Sequence, residues 1–382
     1  MSTAAALAVA GRKTAAQAAK KYRACVIGDT QNGGYGHDIH MVWAARPDVE
    51  VVALADPDEE GRGKRGAECK AKTLYADYRE MLEKEKPELV AVAPRTTVNH
   101  KEYVLACAEA GAHGFIEKPL CVDLAEADEM IAAIDAKKLK WAIGFNFRSM
   151  PVIEQVKKLI VEDRAIGSVL EVRGRGKEDA RAGGEDLIVL GVHVFDLMTH
   201  ILGARPQWCF ADITTNGKPS TKADVKEATE PLGPIVGNRI TATFGFAQGV
   251  PGYYATMFNR DGNGGRWGLD IHGSQGVISI RQDRGPEVSI LKDPMWAPGA
   301  SGKSWEPIRQ EGGPAYDNPL ERYSVIINDL IASIEEDRRP AVSVHDARDA
   351  HEMIQAVFDS HVQGGRVDIP LKERSHPLKR WT

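Results

Sequence analysis

The stretch RACVIGDTQNGGYG, residues 23–36, decides the fold of this chain. Its first half, RACVIGD, has the pattern of a short buried strand that ends at Gly28. The glycine-rich second half leads into GHDIHMVWAARPD, a segment that we interpret as helical. A second apolar run, VEVVALADPD, carries Asp56 at its end. A strand, a glycine loop, a helix and a second strand together predict the β-α-β unit of a dinucleotide-binding fold.

Each part of this unit has a chemical role. The glycines let a pyrophosphate approach the backbone at a helix N-terminus, and the acid after the second strand accepts ribose hydroxyls. Gly28 and Gly33 hold the first and last glycine positions of the fingerprint, followed by Gly34. Thr30 stands where the middle glycine is expected, and it either contacts phosphate or lengthens a surface turn. No basic residue directly follows Asp56 to pair a 2′-phosphate, so the sequence favours NAD over NADP.

Strand and helix patterns continue to alternate as far as residue 147. The helical segments are YADYREMLEKEKP, HKEYVLACAEAG and LAEADEMIAAIDAKK, and the strands are ELVAVAP, HGFIEKP and KWAIGFNF. This alternation predicts an α/β fold with a doubly wound parallel sheet, whose ligands bind beyond the carboxyl ends of the strands. The residues expected at those ends are Pro94, Arg95, Glu117, Lys118, Asn146 and Arg148.

The second half of the chain predicts another α/β unit. A helix and a strand precede a helix that contains His193, and five strand patterns with glycine turns follow it. The polar segment ADVKEATEPLGPIVGN, residues 223–238, is expected to be an exposed loop, and residues 293–319 an irregular excursion. Two amphipathic helical patterns close the chain.

Composition excludes several classes of protein. The 382 residues are enough for two domains, and a net charge of −5 without a basic patch argues against a nucleic-acid partner. Five scattered cysteines show neither disulfide nor metal-ligand spacing. No apolar run approaches the ~18 residues of a membrane span.

The first 21 residues read either as an Ala-rich tail or as the later part of a signal-like segment without its basic region. As encoded, the chain is expected to be cytoplasmic. A true start further upstream, carrying a twin-arginine signal, would instead predict export to the periplasm.

The ordered motifs resemble the Gfo/Idh/MocA family, named after glucose-fructose oxidoreductase, inositol dehydrogenase and MocA. The resemblance runs from about residue 22 to about residue 371 and rests on VIGD…GGYG, LADPD, AVAPRTTVNHKE, EAGAHGFIEKPL, GFNFRSMP and LGVHVFDLMTHILG. It implies an NAD-binding Rossmann domain over residues 22–147 and a substrate-binding α/β domain over residues 148–382. The open, mostly antiparallel sheet of the second domain is expected to form a homodimer or homotetramer interface.

The activity implied by the resemblance is reversible hydride transfer between a nicotinamide and a hydroxyl-bearing carbon of a sugar, sugar acid or cyclitol. Lys118 of the EKP motif is then expected near the reacting hydroxyl, where an ammonium stabilises a developing alkoxide. Glu117 is expected near the nicotinamide, and His100 on the cofactor side or simply at a helix start. His193 corresponds to the general acid/base of the family's D-x-G-x-H motif, a role that an unperturbed pKa of about 6.5 suits.

The chain departs from the family at one catalytic position. Val189 stands where the motif has aspartate, and either Glu185 or Asp186 takes its place or both are ordinary acids at a helix start. Two further hypotheses therefore stay open. One is an enzyme that retains NAD for glycoside cleavage, elimination or epimerisation, and the other is a non-catalytic member that binds NAD or a sugar.

Several other residues are candidates for the substrate cleft. The connection RGRGKEDARAGGED, residues 173–186, is either a solvated loop or a source of hydroxyl-binding side chains: Lys177, Glu178 and Glu185. Arg148 either lines the cleft or pins the domain junction, and Arg95 binds an anion or forms a surface salt bridge.

Aromatic and metal-ligand candidates complete the set. Trp267 and Tyr323 either stack on a sugar or pack in the core or an interface. His193, Asp196 and His200 share one helix face at a spacing that suits a metal, but the resemblance implies no metal there, and we predict none.

Overall fold

The structure is a computed structural model that describes residues 21–43, 46–258, 264–282, 285–310, 312, 318 and 321–381. The interpretations of residues 1–20 as a tail or a signal-like segment lie outside the described residues. Within them, the structure contains no helix with the length and apolar character of a membrane span.

The first half folds around a six-stranded parallel sheet, which confirms the predicted Rossmann architecture. The strand order is β3-β2-β1-β4-β5-β6. The strands are β1 (Tyr22–Ile27), β2 (Val49–Ala55), β3 (Thr73–Tyr75), β4 (Leu89–Val92), β5 (His113–Ile116) and β6 (Trp141–Ile143). The helices of this half are α1 (Glu59–Glu68), α2 (Tyr78–Glu85), α3 (His100–Glu109) and α4 (Leu124–Ala136). Asp58, Asp77 and Asp123 begin three of these helices by accepting a backbone N–H, as N-cap residues do.

The helix that we predicted after the glycine loop does not form as an α-helix. Gly36–Met41 is a short 3-10 turn, and His37 (φ 48°) and Asp38 (φ 60°) have left-handed backbone conformations within it. Two successive left-handed residues break the hydrogen-bond ladder of a right-handed helix. A dinucleotide therefore meets a compact loop at this edge of the sheet, where an α-helix N-terminus was expected.

The second half is built on a ten-stranded sheet of the predicted open, mostly antiparallel type. The order is β17-β16-β15-β14-β7-β13-β12-β8-β18, with β9 paired to β8, and β13 runs parallel to β7. The longer strands are β7 (Val169–Arg175), β8 (Pro206–Thr215), β12 (Arg239–Phe246), β13 (Pro251–Met257), β14 (Gly268–Gly273), β15 (Gly276–Arg281) and β16 (Glu287–Leu291). The short ones are β9 (Lys218–Pro219), β17 (Glu306–Ile308) and β18 (Val367–Asp368).

The second half also contains six helices. They are α5 (Pro151–Val161), α6 (Gly184–Val189), α7 (Gly191–Leu202), α8 (Pro298–Ser301), α9 (Ser324–Glu335) and α10 (Val344–Gln363), counted over the described residues. Both α7 and α10 pack on the sheet and on each other. Since α7 carries His193, this packing fixes the histidine at the boundary between the two halves.

Two loop predictions need correction. Residues 223–238 contain a two-stranded ribbon of β10 (Lys226–Glu227) and β11 (Pro234–Ile235) and bury Leu232, Ile235 and Val236, so this segment is not an exposed loop. The glycine- and proline-rich excursion is not wholly irregular, because it supplies β17 at the edge of the sheet. Apolar residues spaced among polar ones in both segments explain why they fold onto the protein.

Candidate active site

A cleft of about 170 Å³ opens where the Rossmann sheet meets α6 and α7. It lies at the carboxyl ends of β4, β5 and β6, where the parallel sheet predicts a ligand. The predicted residues that line it are Arg95, Lys118, Asn146, Lys177, His193, Trp267 and Tyr323. The structure therefore brings the two proposed catalytic residues together.

Lys118 follows β5 and is almost fully buried at the base of the cleft. Its ammonium donates to the backbone carbonyl of Val189 across 3.1 Å. That carbonyl is available because α6 ends at Val189, and the last carbonyls of a helix have no partner within it. Burial lowers the pKa of Lys118, against the opposing charges of Glu117 and Glu230.

His193 lies in the first turn of α7 inside an aromatic enclosure. The rings of Phe145, Phe147 and Trp267 meet its imidazole edge to face at centroid distances of 5.6, 5.1 and 6.0 Å. Burial, aided by the charges of Lys118 and His37, holds the pKa of His193 well below its usual range. No described residue hydrogen-bonds its Nδ1. His193 is therefore a neutral imidazole that can accept a proton.

Neither acid near the missing aspartate faces this cleft. Glu185 accepts hydrogen bonds from the backbone and hydroxyl of Thr229. Asp186 accepts from the backbone N–H groups of Lys177 and Glu178 and is fully buried. Both carboxylates hold loops of the second domain, and in this structure the Val189 carbonyl is the group that meets Lys118.

The connection ahead of α6 holds two further substrate candidates, Lys177 and Glu178. Lys177 lines the cleft and Glu178 does not. Lys177 places its ammonium 5.6 Å from the ring centroid of Trp267, a cation–π arrangement. Glu178 instead lies buried between the guanidinium groups of Arg175 and Arg266, each 2.7 Å away. The left-handed backbone of Glu178 (φ 61°) turns its side chain away from that of Lys177.

Arg148 lies at the domain junction and not among the residues that line the cleft. Its guanidinium pairs with Asp196 at 2.9 Å and Asp346 at 3.0 Å, and it also donates to the carbonyl of Ala341. Asp196, the acid on the helix face whose spacing suits a metal, is therefore an ion-pair partner of Arg148. His200 pairs with Glu154. Across the described parts of the chain, no group of three His, Cys, Asp or Glu side chains is arranged to hold a metal.

Three polar residues of the cleft were not predicted from the sequence. Arg181 and Glu230 line it together with Arg95, and Glu230 lies 3.6 Å from Arg95 and 3.5 Å from Arg181. Glu230 belongs to the insertion that we expected to be exposed. The third residue, His37, reaches the cleft from the glycine loop, with Nδ1 2.8 Å from a carboxylate oxygen of Glu117. Long-range contacts of this kind leave no signal in a local sequence pattern.

A second pocket lies at the ends of β1 and β2, where the cofactor is expected. Its lining includes Gly28, Asp56 and Tyr103. Asp56 accepts hydrogen bonds from the hydroxyls of Thr30 and Tyr35, both at 2.7 Å. The Tyr35 ring packs so closely on Gly28 that a side chain at Gly28 would overlap it.

The loop glycines and their neighbours form a cradle of backbone. A side chain on Gly33, whose φ is +92°, would overlap the backbone nitrogens of Arg95 and Thr96, while Gly34 faces open space. His100 does not line the cleft, because it is fully buried between the carbonyls of Pro94 and Leu120. It ties the loop after β4 to the loop after β5.

These features fit a dinucleotide. Gly28 and Gly33 have no side chain to project from the loop, although the Tyr35 ring lies against Gly28, and Asp56 offers a carboxylate at the end of β2. Glu117 has a buried oxygen, Oε2, that no described residue hydrogen-bonds, so it can accept from a cofactor amide. The residues present therefore suit a dinucleotide with its nicotinamide end near Lys118.

Comparison with known proteins agrees with this reading. Residues 22–145 match the oxidoreductase family with an NAD-binding Rossmann fold, and residues 158–369 match the C-terminal α/β domain of that family. Levoglucosan dehydrogenase of Pseudarthrobacter phenanthrenivorans is 26% identical over 64% of this chain and 68% of its own length. D-apiose dehydrogenase of Paraburkholderia graminis is 24% identical over 94% of this chain and 92% of its own length.

A solved structure shows the same fold. Levoglucosan dehydrogenase in complex with NADH and levoglucosan superposes with a TM-score of 0.74 at 21% identity, over 92% of this chain and 100% of that one. The two family matches together span both sheets and the cleft between them. The chain therefore belongs to the Gfo/Idh/MocA oxidoreductase family, with an NAD-binding Rossmann domain followed by the C-terminal α/β domain of that family.

Proposed function

We propose that this protein is an NAD-dependent dehydrogenase that oxidises a hydroxyl-bearing carbon of a sugar, sugar acid or cyclitol. The observation that carries the proposal is the shared cleft of Lys118 and His193 at the carboxyl ends of the Rossmann strands. Relatives that are named as sugar dehydrogenases support this substrate class. They give no support to a retained-NAD lyase or to a non-catalytic binding protein.

The chemistry of the cleft follows from two side chains. The Lys118 ammonium, already hydrogen-bonded to the Val189 carbonyl, has further N–H donors for the substrate oxygen. It stabilises the negative charge that this oxygen gains as its proton leaves. Burial lowers the pKa of His193 and so favours its neutral form, which is the form that can accept that proton.

NAD, when bound, supplies the hydride acceptor for this reaction. Asp56 and the backbone of Gly28 and Gly33 would hold its adenosine and pyrophosphate portions. Glu117 would hold the nicotinamide end through its unpartnered oxygen. Each of these four residues was expected from the sequence to bind the cofactor.

Polar side chains of the cleft suit a polyhydroxylated substrate. Asn146, Lys177 and Glu230 line the walls, and the largely buried ring of Trp267 adds apolar surface to them. Such mixed lining orients hydroxyl groups through hydrogen bonds and excludes water from the reacting carbon.

We also propose that the protein is a homo-oligomer through its large sheet. On the face opposite α7 and α10, Phe210 and Tyr253 flank Thr243 in one cross-strand row, and Arg173 continues it. Phe210 is 50% exposed and Tyr253 is 38% exposed. Exposed aromatic residues beside an arginine are typical of protein interfaces. Sedimentation of the purified chain tests this, and a monomer at micromolar concentration would contradict it.

The dehydrogenase proposal is tested with purified protein, added NAD and a panel of sugars, sugar acids and inositols. Absorbance of NADH and mass spectrometry of the product are recorded on the same samples. A steady rise in NADH together with a ketone or lactone product supports the proposal. Product without NADH, or no reaction across the panel while NAD binds, would overturn it.

A further inference from the structure

We propose that His37, held by Glu117, is a further catalytic residue that carries the substrate proton from the cleft to solvent. This inference rests on the proposed dehydrogenase function and deepens it. Of the described residues that line the cleft, His37 is the histidine with a carboxylate partner, at 2.8 Å from Glu117 Oε1. His193, the expected acid/base, lacks such a partner within the described chain.

The reaction creates the need for this residue. When a secondary alcohol is oxidised, the C–H electron pair leaves as hydride to NAD, the O–H bond breaks and a C=O bond forms. One proton is released in each turnover and must reach water. His193 is a poor place to keep that proton, because its imidazole is enclosed by Phe147 and Trp267 and almost fully buried.

The geometry of His37 suits the transfer. Its side chain is 41% exposed and yet lines the same cleft as Lys118 and His193, so it faces both the reaction and the solvent. Glu117 is fully buried. A buried carboxylate at one ring nitrogen fixes the tautomer and the ring orientation of a histidine, as in hydrolase triads. The other ring nitrogen is then the one that exchanges protons.

The glycine loop is built to place this side chain. A side chain on Gly36 would overlap Arg95 and Glu117, so only glycine lets the loop approach this closely. The next residue, His37, takes a left-handed backbone conformation. Arg322 donates to its carbonyl at 3.3 Å. The charged groups around the imidazole are thus Glu117, Lys118, Arg95, Arg322 and the adjacent Asp38.

The test uses the variant His37→Asn. The asparagine amide nitrogen occupies the place of Nδ1 and keeps a donor toward Glu117, and asparagine tolerates the left-handed backbone. It cannot carry a proton. We expect turnover in dilute, weakly basic buffer to fall on the order of 10²-fold. Added imidazole should restore most of this loss, while NADH affinity, measured by fluorescence, stays within a few-fold of wild type.

A matched control is His200→Gln, which alters another carboxylate-bound histidine that lies outside the cleft. It should change neither turnover nor its response to imidazole. Wild-type turnover in His37→Asn would overturn the proposal, and so would a loss that imidazole does not restore and that comes with weakened NADH binding. Absence of turnover in the wild-type protein would instead overturn the dehydrogenase function, and this inference with it.

Discussion

At the scale of single residues, the cleft depends on a backbone carbonyl where the family has a carboxylate. Lys118 was expected in the cleft because the EKP motif ends a strand of the alternating pattern, and His193 was expected there because the LGVH motif resembles the family's D-x-G-x-H motif. The partner of the Lys118 ammonium could not be predicted from the sequence. The carbonyl of Val189 is available only because the helix stops there, and no side-chain pattern marks that stop.

Replacing Lys118 tests its part in the chemistry. Lys118→Met keeps the apolar stem and removes the ammonium, so turnover should fall by at least about 10²-fold, the cost of losing one oxyanion donor. NAD affinity should stay within a few-fold, since the lysine meets the substrate oxygen. Steady-state kinetics and titration with NAD measure the two quantities. Lys140→Met, which removes a lysine paired with Asp337 away from the cleft, is the matched control. Wild-type turnover in Lys118→Met would remove the lysine from the mechanism.

At the scale of elements, the glycine loop is where structure and sequence differ most. Strand β1 and the acid after β2 were predicted correctly, but the intervening helix is a 3-10 turn. The left-handed conformations of His37 and Asp38 cause the difference, and histidine and aspartate adopt that conformation too rarely for a sequence pattern to predict it. In this conformation His37 also contacts Glu117.

The same loop also contacts Asp56, the acid that we propose for binding ribose. Asp56 accepts from four donors: the N–H and O–H of Thr30, the O–H of Tyr35 and the N–H of Asp58. A carboxylate has about four lone-pair sites, so a ribose hydroxyl must displace one of these donors.

The variant Tyr35→Phe tests this competition. It removes one donor to Asp56 and leaves the ring on Gly28, so NAD should bind about threefold to tenfold more tightly, the worth of one hydrogen bond. Titration calorimetry measures the affinity, with Tyr75→Phe as a control because that tyrosine pairs with Glu85. Weaker binding in Tyr35→Phe would show that the hydroxyl contacts the bound cofactor.

Arg148, which follows the Rossmann half directly in the chain, binds acids from α7 and α10. Arg148→Met should lower the free energy of unfolding by about 3–5 kcal/mol, because Asp196 would remain buried without its partner. Denaturant titration measures this. Arg205→Met, which removes a half-exposed arginine paired with Asp349, should cost less than about 1 kcal/mol. Unchanged stability together with a raised KM in Arg148→Met would place this arginine in the substrate site instead.

At the scale of the whole molecule, alternating strands and helices were enough to predict the parallel Rossmann sheet, because each strand buries its own apolar run. The second α/β unit was expected from its strand patterns together with the family resemblance. The cleft between the two units was predicted only in part. Arg181 and Glu230 meet across 3.5 Å although they are 49 residues apart in sequence, by subtraction of their numbers. Such a pair depends on the packing of a whole insertion, which composition alone had suggested was exposed.

Buried histidines predict how stability changes with pH. Burial lowers the pKa of His351 to about 4 and that of His376 to about 3. When unfolded, both have a pKa of about 6.5, so below that pH the unfolded chain binds protons that the folded chain excludes. The stability these histidines contribute is complete above about pH 6.5 and is lost as the pH falls, by about 1.4 kcal/mol per pH unit for each.

Denaturant titrations at pH 7.0 and 5.5 measure this loss. The free energy of unfolding should be lower at the acid pH, and His351→Gln should reduce the difference between the two values. Equal stability of the wild-type protein at both pH values would contradict the assignment of neutral, buried histidines.

The proposed reaction moves a hydride, within this cleft, from a hydroxyl-bearing carbon of the substrate to NAD. Its most direct test takes a substrate found in the panel, deuterated at the reacting carbon, and follows the label by mass spectrometry. We predict that deuterium appears in NADH, one atom for each product molecule, and that Lys118→Met transfers it far more slowly. Deuterium that stays in the product, with no NADH formed, would show that NAD is retained and recycled and would contradict the account.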